Sequence, residues 1–413
     1  MAFALTCTNF VPRMKQITAH ILSLLMLLGL ACQPAQAQSV QEEEDSLQIG
    51  LLTCSPGKAV YELYGHSALR VRNTKDGTDW VFNYGIFDFS TPNFTWRFML
   101  GETDYTLGIS TFRQFARYYA REGRNVTEQV LNLTQDEAYT IAHALDSIAC
   151  IHNWVYRYNF LYDNCTTRAV NHVKKALKGQ IKWPKQSTTI TFRDIIHEFA
   201  AEASPWNRFG QDILLGKETD QPLGIDQQLF SPIYASRLIG DAQIVAADGT
   251  TKPLVRSTEV VVDVKPQPNN RFPLTPMTVC CILLLIVAGL SAWEYKRARV
   301  FTATDNLLLL VQGLAGLMVT FLYFFSSHPG VGSNWLIVWL NPLPLIYLGW
   351  KIKQNIQDRP DHFHVVSGLL LGLLAVAAII SGQKFPIEIY LLALILLIRV
   401  GMNYRFPSHK TTE

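Results

Sequence analysis

The chain changes character near residue 274. Before it, apolar and polar positions mix at the short spacings of a folded, water-facing domain. After it, long apolar runs follow one another with brief polar breaks. In the first part, residues 48–53 predict a strand that ends at the turn residues Ser55-Pro56-Gly57. Residues 58–64 predict a short helical turn. Residues 66–72 alternate, with Ser67, Leu69 and Val71 on one face and His66, Ala68, Arg70 and Arg72 on the other. That alternation predicts a strand. Lys75-Asp76-Gly77 reads as a hairpin turn and residues 80–87 as the returning strand. Thr134-Gln135-Asp136-Glu137 is a capping box that opens a helix to about Cys150. The aromatic-rich residues 154–158 predict extended chain. Asn164 then reads as the N-cap of a helix with Ala169, Val170, Val173, Ala176 and Leu177 on its apolar face. Lys174, Lys175 and Lys178 suit its C-terminal end, and Gly179 its stop.

The second part holds five apolar stretches, at 277–293, 307–325, 336–350, 365–381 and 387–400. Each approaches the ~20 residues that cross a bilayer. Asn341-Pro342-Leu343-Pro344 interrupts the third, which predicts a kink or a re-entrant segment. Lys296, Arg297 and Arg299 follow the first stretch, Lys351, Lys353 and Arg359 the third, and Arg399, Arg405 and Lys410 the fifth. Of the two other loops, one has no Lys or Arg and one has only Lys384. Basic loops stay in the cytoplasm, so the first part lies outside and the C-terminus inside. Gln312, Asn341 and Glu388 are polar groups in or near spans, where polarity is costly and often functional; Glu388, close to the outer interface, has solvation as its other reading. His328 in an outer loop would face either lipid headgroups or water.

The N-terminus agrees with that topology. Lys15, the apolar residues 21–30 and the small-x-small Ala35-Gln36-Ala37 have the order of an export signal. A rival reading, lipidation at Cys32, is poorly served by the preceding Gly29-Leu30-Ala31. The expected organisation is a signal peptide at 1–37, an exported domain at 38–263 and a linker at 264–276. A five-span membrane domain at 277–403 and a tail at 404–413 complete it.

Composition adds two limits. The 413 residues carry a net charge of +3, which gives no case for nucleic acid. Of the seven cysteines, Cys7 and Cys32 go with the targeting segment and Cys280 and Cys281 with a span. Cys54, Cys150 and Cys165 remain in the exported domain, an odd number for an oxidising compartment. Cys54 and Cys150 are expected to pair as a disulfide or to stay buried. No cysteine pair has zinc-ribbon spacing, so neither a structural metal nor a cofactor is expected.

The chemistry centres on Tyr162-Asp163-Asn164-Cys165-Thr166-Thr167-Arg168. Cys165 falls at the first helical position, where the partial positive charge of unpaired N–H groups favours thiolate over thiol. The same N–H groups could hold an oxyanion. A base is needed beside it. His143, His172 and His197 sit on predicted helices, where a solvated or packed histidine is the default. His66 opens a strand just after Gly65, which permits another element to approach closely, so it is the expected partner. A third polar group should orient the ring. Asn83, on the adjacent strand, is the first choice and Tyr84 the second.

Four segments together resemble the Lnb family of bacterial lipoprotein N-acyltransferases. They are Leu52-Thr53-Cys54-Ser55-Pro56-Gly57, Tyr64-Gly65-His66-Ser67-Ala68-Leu69-Arg70-Val71, Asn83-Tyr84-Gly85-Ile86-Phe87 and Asp163-Asn164-Cys165-Thr166-Thr167-Arg168. The resemblance extends to the five-span region. It implies an α+β, permuted papain-like exported domain, similar to lecithin retinol acyltransferases, in which the His strand precedes the Cys helix. It implies catalysis by Cys165, His66 and Asn83, with Tyr64, Tyr84, Asn164, Arg70 and Arg168 as substrate or structural support. A membrane phospholipid would be the acyl donor and a diacylated lipoprotein the acceptor, at a bacterial inner membrane with the domain in the periplasm. A phospholipase or thioesterase, or an anchored cell-wall peptidase, is the alternative for the same Cys–His pair.

Overall fold

A computed structural model describes residues 46–185, 189–265, 272–357 and 359–406. The expected signal peptide, half of the linker and all but the first residues of the tail lie outside the described residues. The strands of the first domain are β1 (Leu47–Cys54), β2 (His66–Asn73), β3 (Asp79–Ile86), β4 (Asp104–Thr111), β5 (Val126–Leu131), β6 (Tyr156–Arg157), β7 (Gln180–Lys182), β8 (Gln243–Val245), β9 (Thr251–Pro253) and β10 (Val255–Val262). Its helices are α1 (Phe94–Leu100), α2 (Phe112–Arg121), α3 (Gln135–Ala149), α4 (Cys165–Ala176), α5 (Phe192–Ala203), α6 (Pro205–Leu214), α7 (Ile225–Gln228) and α8 (Pro232–Gly240). Seven strands form one antiparallel sheet in the order β10-β5-β1-β2-β3-β4-β6, and β7-β8-β9 form a small second sheet.

Both faces of the main sheet are covered, which explains the unbroken apolar run in β1. Leu51 packs with Leu69, Phe82, Ala169, Val173 and Leu238 under α4 and α8. Its neighbour Leu52 points the other way, to Cys54, Ala68, Val81, Phe115 and Tyr119 under α2. Each fully buried Leu or Val here contributes about 1.5–3 kcal/mol over its exposed state. The expected turn at 58–64 is only a 3-10 turn at Val60–Glu62. The α4 helix stops at Ala176, short of Gly179, because the Lys178 N–H is taken by Glu137 Oε1 at 2.8 Å. The local pattern does not mark α1. Its N-cap, Asn93, makes no side-chain cap bond, and five of its seven residues are apolar, three of them aromatic, so no helical periodicity stands out.

Five helical spans follow: α9 (Pro276–Lys296), α10 (Thr302–Phe325), the broken segment Trp335–Ile356 that ends in α11 (Leu343–Ile356), α12 (Phe363–Ile380) and α13 (Ile387–Arg405). The third breaks at Asn341-Pro342, where proline cannot continue the ladder. The carbonyls freed there find donors. Gln312 Nε2 donates to Trp339 O at 3.0 Å, and Asn341 Nδ2 donates to Ile337 O and Val338 O at 3.1 and 3.2 Å. Gly316 lets the break approach, since a Cβ there would lie 2.2 Å from Asn341 O. Gln312 and Asn341 therefore serve the helix break. Glu388 is buried, not solvated. Arg399, fully buried, bonds Asp305 at 2.6 Å and pairs with Glu294, tying α13 to α9 and α10.

The sheet domain is bolted to the membrane domain at two places. At the first, Arg193 of α5 is buried and bonds Asp212 and Asp220, each at 2.7 Å, and Leu215 O at 2.8 Å. This fixes the 212–220 loop, which meets the membrane loops through Gly216 N to Gly330 O (2.8 Å), Asn334 Nδ2 to Ile213 O (2.7 Å) and Lys384 N to Asp220 Oδ2 (3.1 Å). At the second, α1 sits on the end of α10. There His328 Nε2 donates to Phe98 O at 2.6 Å, Ser327 N donates to Leu100 O at 2.8 Å, and Trp96 packs on Phe321. His328 is thus a link between the domains.

Candidate active site

The start of α4 is fixed from several sides. Asn164 Oδ1 accepts from Thr166 N and Thr167 N at 2.9 and 3.0 Å, and Thr167 Oγ1 accepts from Asn164 N at 2.8 Å. The Asn164 amide also donates to Phe160 O and Phe230 O at 2.8 and 2.9 Å. All four groups lie inside the protein, so Asn164 holds the helix start rather than facing a ligand. The cap has a chemical consequence. It occupies the N–H groups of Thr166 and Thr167, which the sequence reading offered to an oxyanion. The Cys165 N–H, the first of the helix, is left for that task.

Cys165 is buried beside His66, the first residue of β2. Gly65, with φ of +81°, turns the chain into that strand where a Cβ would meet Cys54 O at 2.6 Å. His66 Nε2 is bonded to Asn83 Oδ1 from β3, which leaves Nδ1 for the sulfur. Burial alone would raise the Cys165 thiol. The His66 charge and hydrogen bond, the Ser67 N–H and the Thr166 hydroxyl outweigh it and bring the thiol down to about 6. Burial would lower His66, but the Cys165 thiolate and the Asn83 carbonyl outweigh it and raise the imidazole. The two shifts describe one state, a thiolate beside an imidazolium whose Nε2–H is held by Asn83.

Cys54 is the internal contrast. It is as buried as Cys165, but burial dominates there and pushes its thiol up to about 12, despite a hydrogen bond with Tyr119. Cys150 is exposed at the end of α3, and no disulfide joins it to Cys54. Of the two expected alternatives the bridge is absent and Cys54 stays buried, inside the sheet's α2 face, while Cys150 lies at the surface.

Two features of the site carry no mark in the sequence reading. Tyr158, in the stretch read only as extended, lies beside Cys165, and burial followed by the thiolate charge holds its hydroxyl protonated. Gly85, with φ of +91°, lies open beside the pair. A Cβ there would sit 3.6 Å from Cys165 Cβ, 3.5 Å from the Tyr158 ring and 3.9 Å from His66 Cε1. The alternation of Tyr156 and Tyr158 about Arg157 was the available signal for Tyr158, since it puts both rings on one side of a strand.

The other candidates fall around this centre. Tyr84 does not reach His66: its hydroxyl bonds His172 Nε2 at 2.7 Å, and burial pushes that phenol up to about 12. Arg168 pairs with Asp163 at 2.6 Å and lies over the Tyr156 ring at 3.8 Å. Tyr64 donates to Gln211 Oε1 at 2.6 Å, linking the turn before His66 to α6. Arg70 lies further along β2, paired with Asp79 and Glu128 at 2.7 and 2.6 Å and stacked over Phe112. Among the described residues, no group of three or more His, Cys, Asp or Glu could hold a metal ion.

Residues 36–198, which contain the whole of this centre, match the Lnb N-terminal periplasmic domain, and residues 267–411 match the Lnb transmembrane domain. The chain belongs to the Lnb family. No curated protein and no solved structure matches it. As an Lnb-family member it is a multi-pass membrane protein with a periplasmic N-terminal domain, of the lipoprotein N-acyltransferase type. In this Lnb chain the Cys165–His66–Asn83 cluster lies at one end of β2 and β3, next to the elements that dock on the membrane helices.

Proposed function

We propose that this Lnb-family protein carries an acyl chain from a membrane phospholipid, through a thioester on Cys165, to the N-terminal amine of diacylglyceryl-cysteine lipoproteins. The observation that carries the reading is the Cys165 thiolate paired with a raised His66, in a domain bolted to five spans. In the first step the thiolate attacks an ester carbonyl. The tetrahedral oxyanion forms against the Cys165 N–H and the Tyr158 hydroxyl. His66 then gives its proton to the departing alkoxide, which leaves as lysophospholipid. In the second step the lipoprotein amine attacks the thioester. His66 takes the proton that the nitrogen loses, the C–S bond breaks, and the thiolate returns. Asn83 holds Nε2 and so keeps Nδ1 on the sulfur through both steps.

The order of His strand before Cys helix supports a permuted papain-like arrangement. The domain limits given by sequence, 38–263 for the enzyme and 277–403 for the bundle, fit this scheme. So does an inner-membrane location with a cytoplasmic C-terminus. The test is to incubate the full chain with phospholipid and a diacylated lipopeptide and to read both products by mass spectrometry. The expected result is one added acyl group on the lipopeptide, lost in Cys165→Ser. Release of free fatty acid with no gain on the lipopeptide would make the protein a lipase instead.

A further inference from the structure

A line of aromatic rings, buried at Tyr105 and exposed at Phe89 and Trp96, runs between Cys165 and the membrane domain. It starts at Tyr158, which lies beside Cys165 and stacks on Tyr105 with centroids 4.3 Å apart. Tyr105 meets Phe87 at 5.1 Å, and Phe87 meets Phe89 and Phe94 at 4.8 and 5.7 Å. Phe94 lies on α1, whose Trp96 packs against Phe321 of α10 at 5.0 Å, one turn before the end of that span. Two of these rings face outward: Phe89 is 62% exposed and Trp96 55%. Tyr105, Phe87, Phe94, Ile86 and Val155 wall a cavity of about 290 Å³ beside the line, with Asp88, Arg97 and Asp104 at its polar edge.

A partly exposed apolar strip of this length is costly in water and needs an occupant. Its two ends say which. One end is a span at bilayer level, where aromatic side chains sit at the interface. The other is the ring beside the nucleophile. The occupant must therefore be a flexible apolar chain, long enough to leave the leaflet and ending in a group that the thiolate attacks.

We infer that the strip from Trp96 to Tyr105 and the cavity behind it seat the acyl chain of the phospholipid donor, and that their filling sets which chain lengths are transferred. This rests on the reaction proposed above. A chain lying along Phe94, Phe89 and Phe87 brings its ester to Tyr158, so the aromatic line delivers the carbonyl to the sulfur and strips its methylenes of water on the way. Lengthening the chain then adds contacts until the cavity is full.

The full chain in detergent is offered dioctanoyl or dipalmitoyl phosphatidylcholine, and the acyl adduct on Cys165 is quantified by intact mass. Val155→Trp fills the cavity from a side chain that is 55% exposed, and Phe89→Asp places a carboxylate on the strip. Alkylation of Cys165 by iodoacetamide with Cys54 spared reports that each variant is folded. In both variants the dipalmitoyl-to-dioctanoyl adduct ratio is expected to fall about tenfold, the scale on which apolar pockets discriminate. An unchanged ratio in both folded variants would overturn the inference while leaving the proposed reaction standing. Absence of any adduct in the unmodified enzyme would instead remove the reaction, and the inference with it.

Discussion

Asn83 Oδ1 accepts from Nε2 of His66, so the ring presents its other nitrogen to Cys165. Asn83→Ala removes an acceptor from a charged donor, an interaction on the scale of about 1.5–3 kcal/mol. Acyl transfer should fall by roughly ten- to a hundredfold. The carbonyl raises His66, so its loss should lower the imidazole and move the alkaline limb of the rate profile to lower pH. A pH–rate profile of the variant that keeps its alkaline limb in place would contradict this role.

Cys165 should react as a thiolate across the neutral range. With its thiol near 6, alkylation by iodoacetamide should rise through about pH 6 and level off above it. Below that pH the sulfur takes a proton and the reaction fades. In His66→Ala, burial is left largely unopposed, so the midpoint should move above the ordinary thiol value of about 8.5. Peptide mapping separates Cys165 from Cys54, which should stay unmodified because its thiol is pushed up to about 12.

The Asn164 amide satisfies two buried carbonyls while its oxygen caps α4. Asn164→Ala loses the cap, about 0.5–2 kcal/mol, and leaves both carbonyls without donors. Asn164→Asp keeps an acceptor at the cap but places a negative charge next to Cys165. Its alkylation midpoint should shift upward, which an unchanged iodoacetamide profile would refute.

Gly85 holds a φ of +91° that other residues adopt only under strain. Gly85→Ala should destabilise the domain by about 1–3 kcal/mol. Its methyl would also stand in van der Waals contact with Cys165, Tyr158 and His66, in the space where a substrate carbonyl must arrive. Acyl-adduct formation should drop further than the thermal midpoint alone accounts for. Restoration of full transfer by lowering the temperature would argue for strain alone.

Arg193→Met removes the cation from a buried site, leaves Asp220 without its ion pair and leaves Asp212 with only His197 and Arg208. Breaking such a buried pair from one side costs about 3–5 kcal/mol. The thermal unfolding midpoint of the full chain in detergent should fall by several degrees or more. An unchanged midpoint would show that the 212–220 loop stands without its ion pairs.

Local signals pointed to Cys165 and His66, which the fold brings together. A cap residue directly before Cys165 and a glycine directly before His66 are one-residue features, visible without any knowledge of what packs where. Asn83 followed from the hairpin, because β2 and β3 pair antiparallel and the turn sets their register. The five spans followed from hydropathy, and the break at Asn341-Pro342 from proline. Tyr158 did not follow, because its partner is seven residues away through a loop, and the alternation with Tyr156 marks only a shared face. Arg193, Asp212 and Asp220 were equally silent. Their bonds join segments that meet only once α5, α6 and the membrane loops are assembled, and an Arg or Asp on a helix reads as solvated until then. Counting cysteines leaves Cys54 and Cys150 bridged or buried for the same reason: it says nothing about which side of a sheet each one occupies.

Tyr162 donates to Glu218 Oε1 at 2.6 Å, and Glu218 Oε2 accepts from Gly330 N at 3.0 Å, so the loop before Cys165 is two hydrogen bonds from the membrane domain. With Tyr64 held by Gln211 on the histidine side, both halves of the reactive pair are tied to the same support. The sulfur is therefore held at a set distance from the membrane domain. In the proposed reaction the donor's ester and the acceptor's amine both hang just beyond the root of their own acyl chains, and so float at nearly equal depth. An enzyme of this build would sort its clients by elevation before it read any sequence, and no rocking of the domain would be required between loading and unloading.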